Sequence, residues 1–507
     1  MIRVISEYLR TSAKHFPDKI VLVDKEKSIK YCEALETAEN IAGNLITEGM
    51  FKQPIAVMMD KGADAVVVFW GVAVSGNFYT VIDTKMPDVR IQKILATFLP
   101  KIIITDLKNL SSVKRLCMSL DIKILIYEEV CQFYADKKLI QSVEKRIIDT
   151  DILYVLFTSG TTGIPKGVII NHRSVIDYIE WATEVFHFSS DTIFGNQAPF
   201  YFDNSVLDIY ATLKNGAMLH IIPKMLYSFP IRLLEYIRDH KVNTVFWVPT
   251  VLTRVADMGV LDCCDISCLK NVLFAGEVMP AKQLNIWIRK LPNVLFANLY
   301  GPTEITVDCT YYIIDRRIED DESVPIGYPC RNSDILVLNQ ENQLADMGEK
   351  GELCVRGTSL SLGYYNNPEK TAMSFVQNPL NNMYEEKIYR TGDMVHYNER
   401  GEIIYDGRMD SQIKHSGHRI ELGEIETAVS SIKGIQMNCC IHKAAEDQIV
   451  LFYTGAIEPR EVRENLTILL PEYMLPNTYK KLVHMPLNMN GKIDRIKLKN
   501  ELDIVDR

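Results

Sequence analysis

A loop rich in glycine and hydroxyl side chains carries the first chemical signal in this chain. Residues 156–168 read LFTSGTTGIPKGV, so a predicted strand enters a loop with Lys166 near its end. Gly160 and Gly163 allow backbone N–H groups to turn toward an anion. Further donors come from Thr158, Ser159, Thr161 and Thr162. The pattern predicts a phosphate-binding loop, but not a Walker loop, because no Gly-Lys-Ser/Thr follows at the required spacing. An ordinary flexible surface loop is the alternative.

Five further segments with chemically suited residues follow this loop in the chain. They are NLYGPTE at 298–304, YRTGD at 389–393, GRMD at 407–410, GHRIELGEIE at 417–426 and NGK at 490–492. With the loop, they make the chain resemble the adenylate-forming superfamily of acyl-CoA synthetases, luciferases and peptide-synthetase adenylation domains. Six ordered matches at the proper spacing cover nearly the whole chain.

The resemblance implies an enzyme that uses ATP and Mg²⁺ to activate a carboxylate. Tyr300 can stack on a purine, and Asp393 can accept both ribose hydroxyls. Glu304 offers the hard oxygen ligand that magnesium takes beside phosphates. Lys492 brings a positive charge to the substrate carboxylate and the α-phosphate. With Lys492, the resemblance implies Thr303 and Glu304 as catalytic residues. The remaining nucleotide-binding residues implied by the resemblance are Gly276, Glu277, Asn298, Gly301 and Arg408.

Alone, these residues would have ordinary interpretations. Glu304 and Asp393 would be loop carboxylates, and Lys492 would be a solvated lysine in an Asn-Gly turn. The ordered set of motifs favours the catalytic interpretation.

The segment 198–208, APFYFDNSVLD, indicates the class of acid that is activated. In amino-acid-activating members of the superfamily, the aspartate at the place of Asp203 pairs with the substrate α-ammonium. A carboxylate in a closed pocket needs such a cationic partner to offset its desolvation. The alternative is that Asp203 only caps the helix that follows.

The resemblance also implies the walls of an amino-acid pocket. They are Asn204, Leu207, Phe246, Leu273, Ala275, Leu299, Val307 and Asp308. Within the superfamily the chain most resembles D-alanine–carrier protein ligases, in FAGEVMP at 274–280 and LPEYMLP at 470–476. Those ligases usually have cysteine at the place of Ala275, and a charged Asp308 is unexpected beside alanine. We expect D-alanine or another small amino acid, with Asp308 either receiving a polar or basic side chain or pointing away.

The second substrate implied by the resemblance is a thiol. Residues 414–417 resemble a strand face that lines a pantetheine tunnel. The predicted acceptor is the phosphopantetheine arm of a carrier protein, which acts in trans unless this chain is a module of a longer peptide synthetase. An acyl-CoA ligase is the alternative enzyme, which Asp203 disfavours. A non-catalytic relative is disfavoured because Lys492, Glu304 and the phosphate loop are all present.

The elements that position these motifs predict an α/β fold. Strands at 20–24, 55–59, 78–82 and 101–105 alternate with helices at 31–48 and 91–99, which is typical of parallel sheets. Between about 325 and 405, short strands with Gly-rich turns predict a barrel-like or antiparallel unit. Past 407 the pattern changes to a small α+β unit, with helices at 421–432 and 460–469 and strands at 437–442 and 449–454.

We therefore predict a large N-terminal domain, 1–409, of two doubly covered, mostly parallel sheets plus a small β-barrel-like unit. A small α+β C-terminal domain, 410–507, carries Lys492. Because adenylation needs the lysine and thiol transfer needs an open path, we expect the small domain to rotate about a hinge at Asp410.

Composition and charge exclude several other classes. With 65 acidic and 56 basic side chains, the net charge of −9 disfavours binding to nucleic acid or anionic lipid. Glu7 lies where a signal peptide would need an apolar core, and the longest apolar run, 65–74, is shorter than the about 20 residues of a membrane span. We expect a cytoplasmic protein. Its 11 cysteines, including those at 263, 264 and 268, are predicted to be free core or surface thiols.

Overall fold

The computed structural model describes residues 2–118, 120–160, 163–409, 412–415, 417–443, 446–487 and 493–505. Four predicted site residues lie outside these ranges: Thr161, Thr162, Asp410 and Lys492. The chain forms two compact units. The first unit consists of Met1–Thr84, Phe98–Phe157 and Gly167–Met409, and the second of Lys85–Thr97, Thr158–Lys166 and Asp410–Arg507. The predicted hinge at Asp410 stays a prediction.

The strands are numbered in chain order. They are β1 (Ile20–Val23), β2 (Ser28–Lys30), β3 (Pro54–Met58), β4 (Phe78–Val81), β5 (Ile102–Thr105), β6 (Lys123–Ile126), β7 (Ile152–Thr158), β8 (Lys166–Asn171), β9 (Ile193–Asn196), β10 (Met218–Ile221), β11 (Thr244–Trp247), β12 (Asn271–Phe274), β13 (Leu295–Tyr300), β14 (Thr310–Ile313), β15 (Tyr328–Pro329), β16 (Ser333–Leu338), β17 (Gly351–Gly357), β18 (Phe375–Gln377), β19 (Lys387–Tyr397), β20 (Ile403–Arg408), β21 (Gln412–His415), β22 (His418–Glu421), β23 (Ile435–Lys443), β24 (Gln448–Gly455) and β25 (Thr478–Lys481).

The α-helices follow in the same order. They are α1 (Ser6–His15), α2 (Tyr31–Thr47), α3 (Ala63–Val74), α4 (Asp88–Phe98), α5 (Leu110–Cys117), α6 (Tyr127–Val130), α7 (Lys137–Glu144), α8 (His172–Val185), α9 (Asn204–Asn215), α10 (Pro230–Asp239), α11 (Pro249–Asp257), α12 (Ala281–Lys290), α13 (Pro368–Ser374), α14 (Leu422–Ser430), α15 (Pro459–Leu469) and α16 (Arg495–Val505).

Three sheets build the first unit. The nine-stranded sheet has the order β15-β14-β13-β12-β11-β9-β10-β1-β2, and the six-stranded sheet has the order β6-β5-β3-β4-β7-β8. Within the nine-stranded sheet, pairing is parallel from β13 through β12, β11, β9 and β10 to β1. In the third sheet, β16 to β20 pair antiparallel throughout. The predicted α/β fold with an added antiparallel unit is confirmed.

Helix α2 shows how local signals set an element's limits. The Glu33 carboxylate accepts the Lys30 backbone N–H at 2.8 Å, which satisfies a donor at the start of the helix. The helix ends before Gly49, whose φ of +76° lies in the left-handed region that L side chains avoid. The predicted helix at 31–48 is therefore confirmed within one residue.

The longest apolar run forms a buried helix of the first unit. In α3, every residue from Ala65 to Val74 is buried, and the helix packs along α2. A helix with apolar residues on all sides belongs in a protein core. In the part of the chain that the structure describes, we find no helix with the length and apolar character needed to cross a membrane.

The second unit has its own apolar core. Helices α14 and α15 pack on the sheet β23-β24-β25, and side chains such as Ile425, Val462 and Leu466 are fully buried between them. The cysteines of the chain are free thiols, as predicted.

Candidate active site

The predicted ribose ligand Asp393 is held by two donors within the first unit. It lies on β19 opposite Arg408 of β20, and its side chain is buried. Arg408 Nη1 donates to Asp393 Oδ1 at 2.7 Å, and the Tyr300 hydroxyl donates to Asp393 Oδ2. Each carboxylate oxygen has two acceptor sites, so both oxygens can still accept a ribose hydroxyl.

Tyr300 remains a hydroxyl donor over the physiological pH range. Burial of the phenol, followed by the charge of Asp393, raises the pKa of Tyr300 well above its ordinary value. The ring lies at the end of β13, 6.2 Å from the Tyr405 ring centroid. The structure thus brings together Tyr300, Asp393 and Arg408, which lie far apart in sequence.

The predicted metal ligand Glu304 lies in a short 3-10 turn, Thr303–Ile305, directly after β13. Its side chain is fully buried, and the Tyr364 hydroxyl donates to Oε1 at 2.8 Å. The Ser361 N–H donates to the Glu304 backbone carbonyl at 2.9 Å and so fixes the turn. A buried carboxylate is a hard oxygen ligand, and Mg²⁺ binds one or two such groups together with substrate phosphates. The residues at this turn therefore fit a magnesium ion.

The other predicted nucleotide-binding residues of the first unit have structural partners. Asn298 Nδ2 donates to the Pro325 carbonyl at 2.8 Å, and Glu277 accepts the Thr250 backbone N–H at 2.7 Å in the first turn of α11. Gly276 has a φ of +94°, a conformation that L side chains rarely adopt.

The predicted pocket walls converge at one end of the nine-stranded sheet. Phe246 and Leu273 are register partners on β11 and β12, so their side chains lie side by side at the carboxyl ends of parallel strands. One apolar cluster contains Leu207, Phe246, Leu273, Ala275, Leu299 and Val307, all buried. In open α/β sheets, ligands bind at the carboxyl ends of the strands.

Two carboxylates act on the buried Tyr178, which belongs to this apolar cluster. Asp203 precedes α9 but makes no side-chain cap hydrogen bond to it, so the alternative that it only caps the helix is wrong. The second carboxylate, Asp308, is buried and accepts the Tyr178 hydroxyl at Oδ2 at 2.6 Å. Burial raises the pKa of Tyr178 well above its ordinary value, and the charges of Asp308 and Asp203 add to that effect. Asp308 thus contacts the Tyr178 hydroxyl directly, whereas Asp203 acts on Tyr178 through its charge.

Between the turn Thr303–Ile305 and Asp308, the backbone has a left-handed conformation at two residues other than glycine. Thr306 and Val307 have φ values of +57° and +71°, which branched side chains rarely adopt. Strain of this kind costs on the order of 1–3 kcal/mol per residue and clusters at functional sites. Thr306 Oγ1 donates to the buried Ser359 carbonyl at 2.8 Å and helps to hold the conformation.

The predicted phosphate loop, Thr158–Lys166, belongs to the second unit, and the structure describes it except for residues 161 and 162. Gly160 leaves no room for a side chain, since an added Cβ would lie 2.1 Å from the Ile164 carbonyl oxygen. The Gly160 N–H donates to Glu424 Oε2 at 3.2 Å, and Ser159 Oγ donates to the Arg419 carbonyl at 2.8 Å. The Gly160 N–H thus donates to a carboxylate in this structure, and the role of the loop in binding phosphate stays a prediction.

Glu424 is itself held by a buried cation. Arg90 Nη1 donates to Glu424 Oε1, and both side chains are 4% exposed. Lys93 Nζ donates to the Gly163 carbonyl at 2.7 Å on the same loop. Lys166, also buried, closes the loop at the start of β8.

Sequence reasoning missed four residues that support this chemistry. They are Tyr178, Tyr364, Arg90 and Glu424. Each meets its partner across 60 or more residues of sequence, and none of the four stands out by local spacing. Glu424 lies inside the motif at 417–426, which is the one signal that could have pointed to it.

Comparison with known proteins identifies relatives over most of the chain. The sequence profile of the family described as AMP-binding enzyme matches residues 9–365. Tyrocidine synthase 1 of Brevibacillus parabrevis is 33% identical over 499 residues, which are 97% of this chain and 44% of that protein. Zwittermicin A synthase ZmaJ of Bacillus cereus is 32% identical over 494 residues, 94% of this chain and 91% of that protein. This chain thus spans less than half of the first protein and most of the second.

Solved structures share the fold. The Vibrio cholerae adenylation domain AlmE, solved with glycyl-adenosine-5′-phosphate, has a TM-score of 0.86 at 22% identity and covers 98% of this chain, with 97% of AlmE covered. An artificially fused adenylation-PCP di-domain from Klebsiella oxytoca, NpsA-ThdA, has a TM-score of 0.83 at 20% identity, with 100% and 97% of the two chains covered.

Proposed function

Since this chain belongs to the AMP-binding enzyme family, we propose that it activates a small amino acid with ATP. The product of the first step is an aminoacyl-AMP, and the second step transfers the aminoacyl group to the phosphopantetheine thiol of a carrier protein. In the first step a carboxylate oxygen attacks the α-phosphorus and pyrophosphate leaves. In the second step the thiol sulfur attacks the acyl carbon, AMP leaves, and the thiol proton is released.

The position of Asp203 is the observation that carries the proposal. Its charge acts on the buried Tyr178, which contacts Asp308, and its side chain makes no cap hydrogen bond to the helix that it precedes. An α-ammonium is the cationic partner that a carboxylate needs in such a setting. A fatty or aryl acid has no α-ammonium for Asp203 to bind, which disfavours an acyl-CoA ligase.

The apolar walls favour a small substrate side chain. Leu273, Leu299 and Val307 belong to one buried apolar cluster with the smaller Ala275, and as pocket walls these side chains would suit D-alanine or another small amino acid. A second candidate is a polar or basic amino acid, because a buried carboxylate at Asp308 could receive its side chain.

The remaining residues are proposed to bind and orient the nucleotide. Asp393, fixed by Tyr300 and Arg408, accepts the ribose hydroxyls, and Glu304, fixed by Tyr364, holds Mg²⁺. The bound ion supplies positive charge to the phosphate oxygens. Loop donors from Thr158 to Lys166, with Lys492, Thr303, Gly276, Glu277, Asn298 and Gly301, complete the proposed site.

The carrier protein is proposed to act in trans, or from a neighbouring module if the chain is part of a longer synthetase. The adenylation-PCP fusion with the same fold supports a carrier as the acceptor. The free cysteines support a reducing compartment such as the cytoplasm.

The experiment is amino-acid-dependent pyrophosphate exchange over a panel of D- and L-amino acids, with Asp203→Ala and Asp203→Asn beside the unchanged chain. Leaving a buried α-ammonium unpaired costs about 3–5 kcal/mol, so kcat/KM for the best amino acid should nearly vanish in both variants. ATP binding, measured by calorimetry, should persist. An unchanged kcat/KM in Asp203→Ala would contradict the proposed amine recognition.

The panel also decides between the two substrate classes. If D-alanine or another small amino acid is best, Asp308→Ala should be mildly tolerated. If a basic or polar amino acid is best and Asp308→Ala abolishes its use, Asp308 is the selectivity residue and the small-substrate proposal is wrong.

The proposed role of Lys492 and the hinge is tested by separating the two half-reactions. Lys492→Ala should depress adenylation by at least ~10²–10³-fold, as for loss of a preorganised charge-stabilising group. Transfer from a supplied aminoacyl-adenylate should change much less. Asp410→Pro restricts φ at the proposed hinge and should slow thiol transfer more than adenylation. Equal losses in both steps for Lys492→Ala would remove the support for a rotating small domain.

A further inference from the structure

Two histidines and an aspartate converge in the second unit, outside the residues proposed to bind ATP and the amino acid. One of them, His415, lies in the segment 414–417 that is predicted to line the pantetheine tunnel. His415 ends β21, His442 lies on β23, and Asp447 lies in the turn before β24. His415 Nδ1 lies 2.9 Å from Asp447 Oδ1, and His442 Nε2 lies 3.0 Å from the same oxygen. The two rings are 6.2 Å apart between centroids and cross at 79°, so both present an edge nitrogen to one carboxylate oxygen.

The spacing of these atoms matches the needs of a small transition metal ion. The three ligand atoms all lie within 4.8 Å of one another. In a tetrahedral zinc site with bonds of about 2.0–2.2 Å, ligand atoms are separated by roughly 3.3–3.5 Å. The two distances from histidine nitrogen to Asp447 Oδ1, 2.9 and 3.0 Å, differ from that separation by a few tenths of an ångström.

The ligand types and their burial also favour zinc over a hard cation. Imidazole nitrogen suits zinc, copper and nickel, whereas magnesium and calcium prefer all-oxygen sites. His415 and His442 have side chains only 8% and 17% exposed, which gives two positioned nitrogens, whereas Asp447 is 40% exposed. The exposed side leaves space for a water as a fourth ligand.

Among the residues that the structure describes, no other group of three or more histidine, cysteine, aspartate or glutamate ligands converges in this way. The pair His396 and Asp406 of the first unit resembles it in chemistry, with Nδ1 and Oδ2 2.6 Å apart, but that pair is not joined by a second histidine among the described residues.

We propose that His415, His442 and Asp447 form a zinc-binding site. Bound zinc would join the hairpin β21–β22 to the sheet β23-β24-β25 within the second unit, because His415 lies on the former and His442 on the latter. A metal that binds the folded form alone stabilises it in proportion to its affinity and concentration. The site therefore adds a metal-dependent contribution to the stability of this unit.

The experiment uses the full chain without a histidine tag, stripped with EDTA and dialysed. Zinc binding is measured by titration calorimetry, and cobalt substitution is followed by visible absorption. We expect one zinc per chain, visible d–d bands with cobalt, and a higher unfolding temperature with zinc. Loss of an outer-shell partner alone weakens metal sites by ~10–100-fold, so His415→Gln, His442→Gln and Asp447→Asn should each weaken binding by at least that much.

His396→Gln is the matched control, since it removes a histidine from a His–Asp pair that lacks a third ligand. It should bind zinc like the unchanged chain. If a histidine variant of the site fails to fold, Asp447→Asn supplies the same comparison with a near-isosteric change. The proposal is overturned if the unchanged chain binds no stoichiometric zinc, or if His442→Gln and Asp447→Asn bind it as tightly as His396→Gln.

Discussion

Three buried carboxylates in the first unit each accept a hydrogen bond from a tyrosine hydroxyl. The pairs are Glu304 with Tyr364, Asp308 with Tyr178 and Asp393 with Tyr300. A tyrosine donor satisfies part of the carboxylate's hydrogen-bonding capacity without neutralising its charge. Each carboxylate thus keeps acceptor capacity for a proposed ligand, whether a metal ion, a ribose hydroxyl or a substrate cation.

The pair of Tyr178 and Asp308 gives a prediction about stability. Tyr178→Phe removes a donor from a buried carboxylate, which should destabilise the first unit by about 1–3 kcal/mol. Tyr154→Phe is the matched control, because Tyr154 is also fully buried but its hydroxyl has no hydrogen-bond partner among the described residues. Urea unfolding of both variants measures the difference. Equal destabilisation by the two changes would contradict a hydroxyl contribution at Asp308.

Buried His172 gives a prediction about pH. It accepts the Ile5 N–H at Nδ1 at 3.3 Å, and burial lowers its pKa to about 4. The unfolded chain, with an ordinary histidine pKa of about 6.5, binds this proton first, so folding stability is present above pH ~6.5 and is lost as the pH falls toward ~4. The free energy of unfolding should fall by about 3 kcal/mol because of this residue.

Chemical unfolding at several pH values between 4 and 7 tests this effect. His172→Asn should flatten the pH dependence of the free energy of unfolding, whatever its effect on absolute stability. His187→Asn changes an exposed histidine and should leave the slope as it is. An identical slope in all three proteins would show that His172 does not titrate in this way.

At the scale of elements, one turn connects the proposed nucleotide-binding motif to the proposed amino-acid pocket. Gly301 follows β13, and a Cβ added there would lie 2.4 Å from the Val307 carbonyl oxygen and 2.6 Å from Asp308 Cα. Both contacts are backbone atoms of the strained loop, so they cannot move away as a flexible side chain could. The close approach therefore requires glycine.

We expect Gly301→Ala to displace Val307 and Asp308 and so to raise the KM for the amino acid in pyrophosphate exchange. Overpacking of this kind costs about 1–3 kcal/mol in stability. Gly401→Ala is the control: its φ of +73° adds backbone strain, but the new Cβ would meet no atom within 4 Å. The Gly401→Ala protein should be less stable, but its KM for the amino acid should be unchanged. An unchanged KM for the amino acid in Gly301→Ala would show that the turn at Gly301 does not position the residues of the proposed pocket.

Local patterns explain which elements could be predicted. Helix α2 has a capping glutamate and a closing glycine, and β3 and β5 are short apolar runs, so each shows a local signal. The motif residues Asp393 and Glu304 were found by resemblance. Tyr178 and Tyr364 could not be found, because a hydrogen bond across 130 or 60 residues depends on the packing of whole sheets. The left-handed backbone at Thr306 and Val307 could not be predicted either, because neither residue is a glycine or asparagine, the types that usually indicate this conformation.

At the scale of the whole molecule, each of the two units has a hydrophobic core of its own. Leu234 is fully buried in a cluster of the first unit, and Leu466 is fully buried in the second. Units with separate cores can unfold in separate steps.

We expect two transitions in scanning calorimetry. Leu→Ala changes in a core cost about 2–5 kcal/mol, so Leu234→Ala should lower the transition of the first unit and Leu466→Ala that of the second. The two variants are matched in chemistry and burial, and each serves as the control for the other. A single transition lowered by both changes would show that the units unfold together.

The phosphate loop belongs to a unit whose largest segment is made last. Gly160 and its partner Glu424 are 264 residues apart, and most of that unit's core residues follow Glu424 in the chain. At translation speeds of about 5–20 residues per second, the loop leaves the ribosome about 10–50 s before Glu424 is synthesised. During that interval the sheet strands on either side of the loop can already fold, while the Gly160 N–H still lacks its carboxylate. A nascent chain therefore has a period in which cellular anions, ATP among them, meet this N–H before Glu424 does.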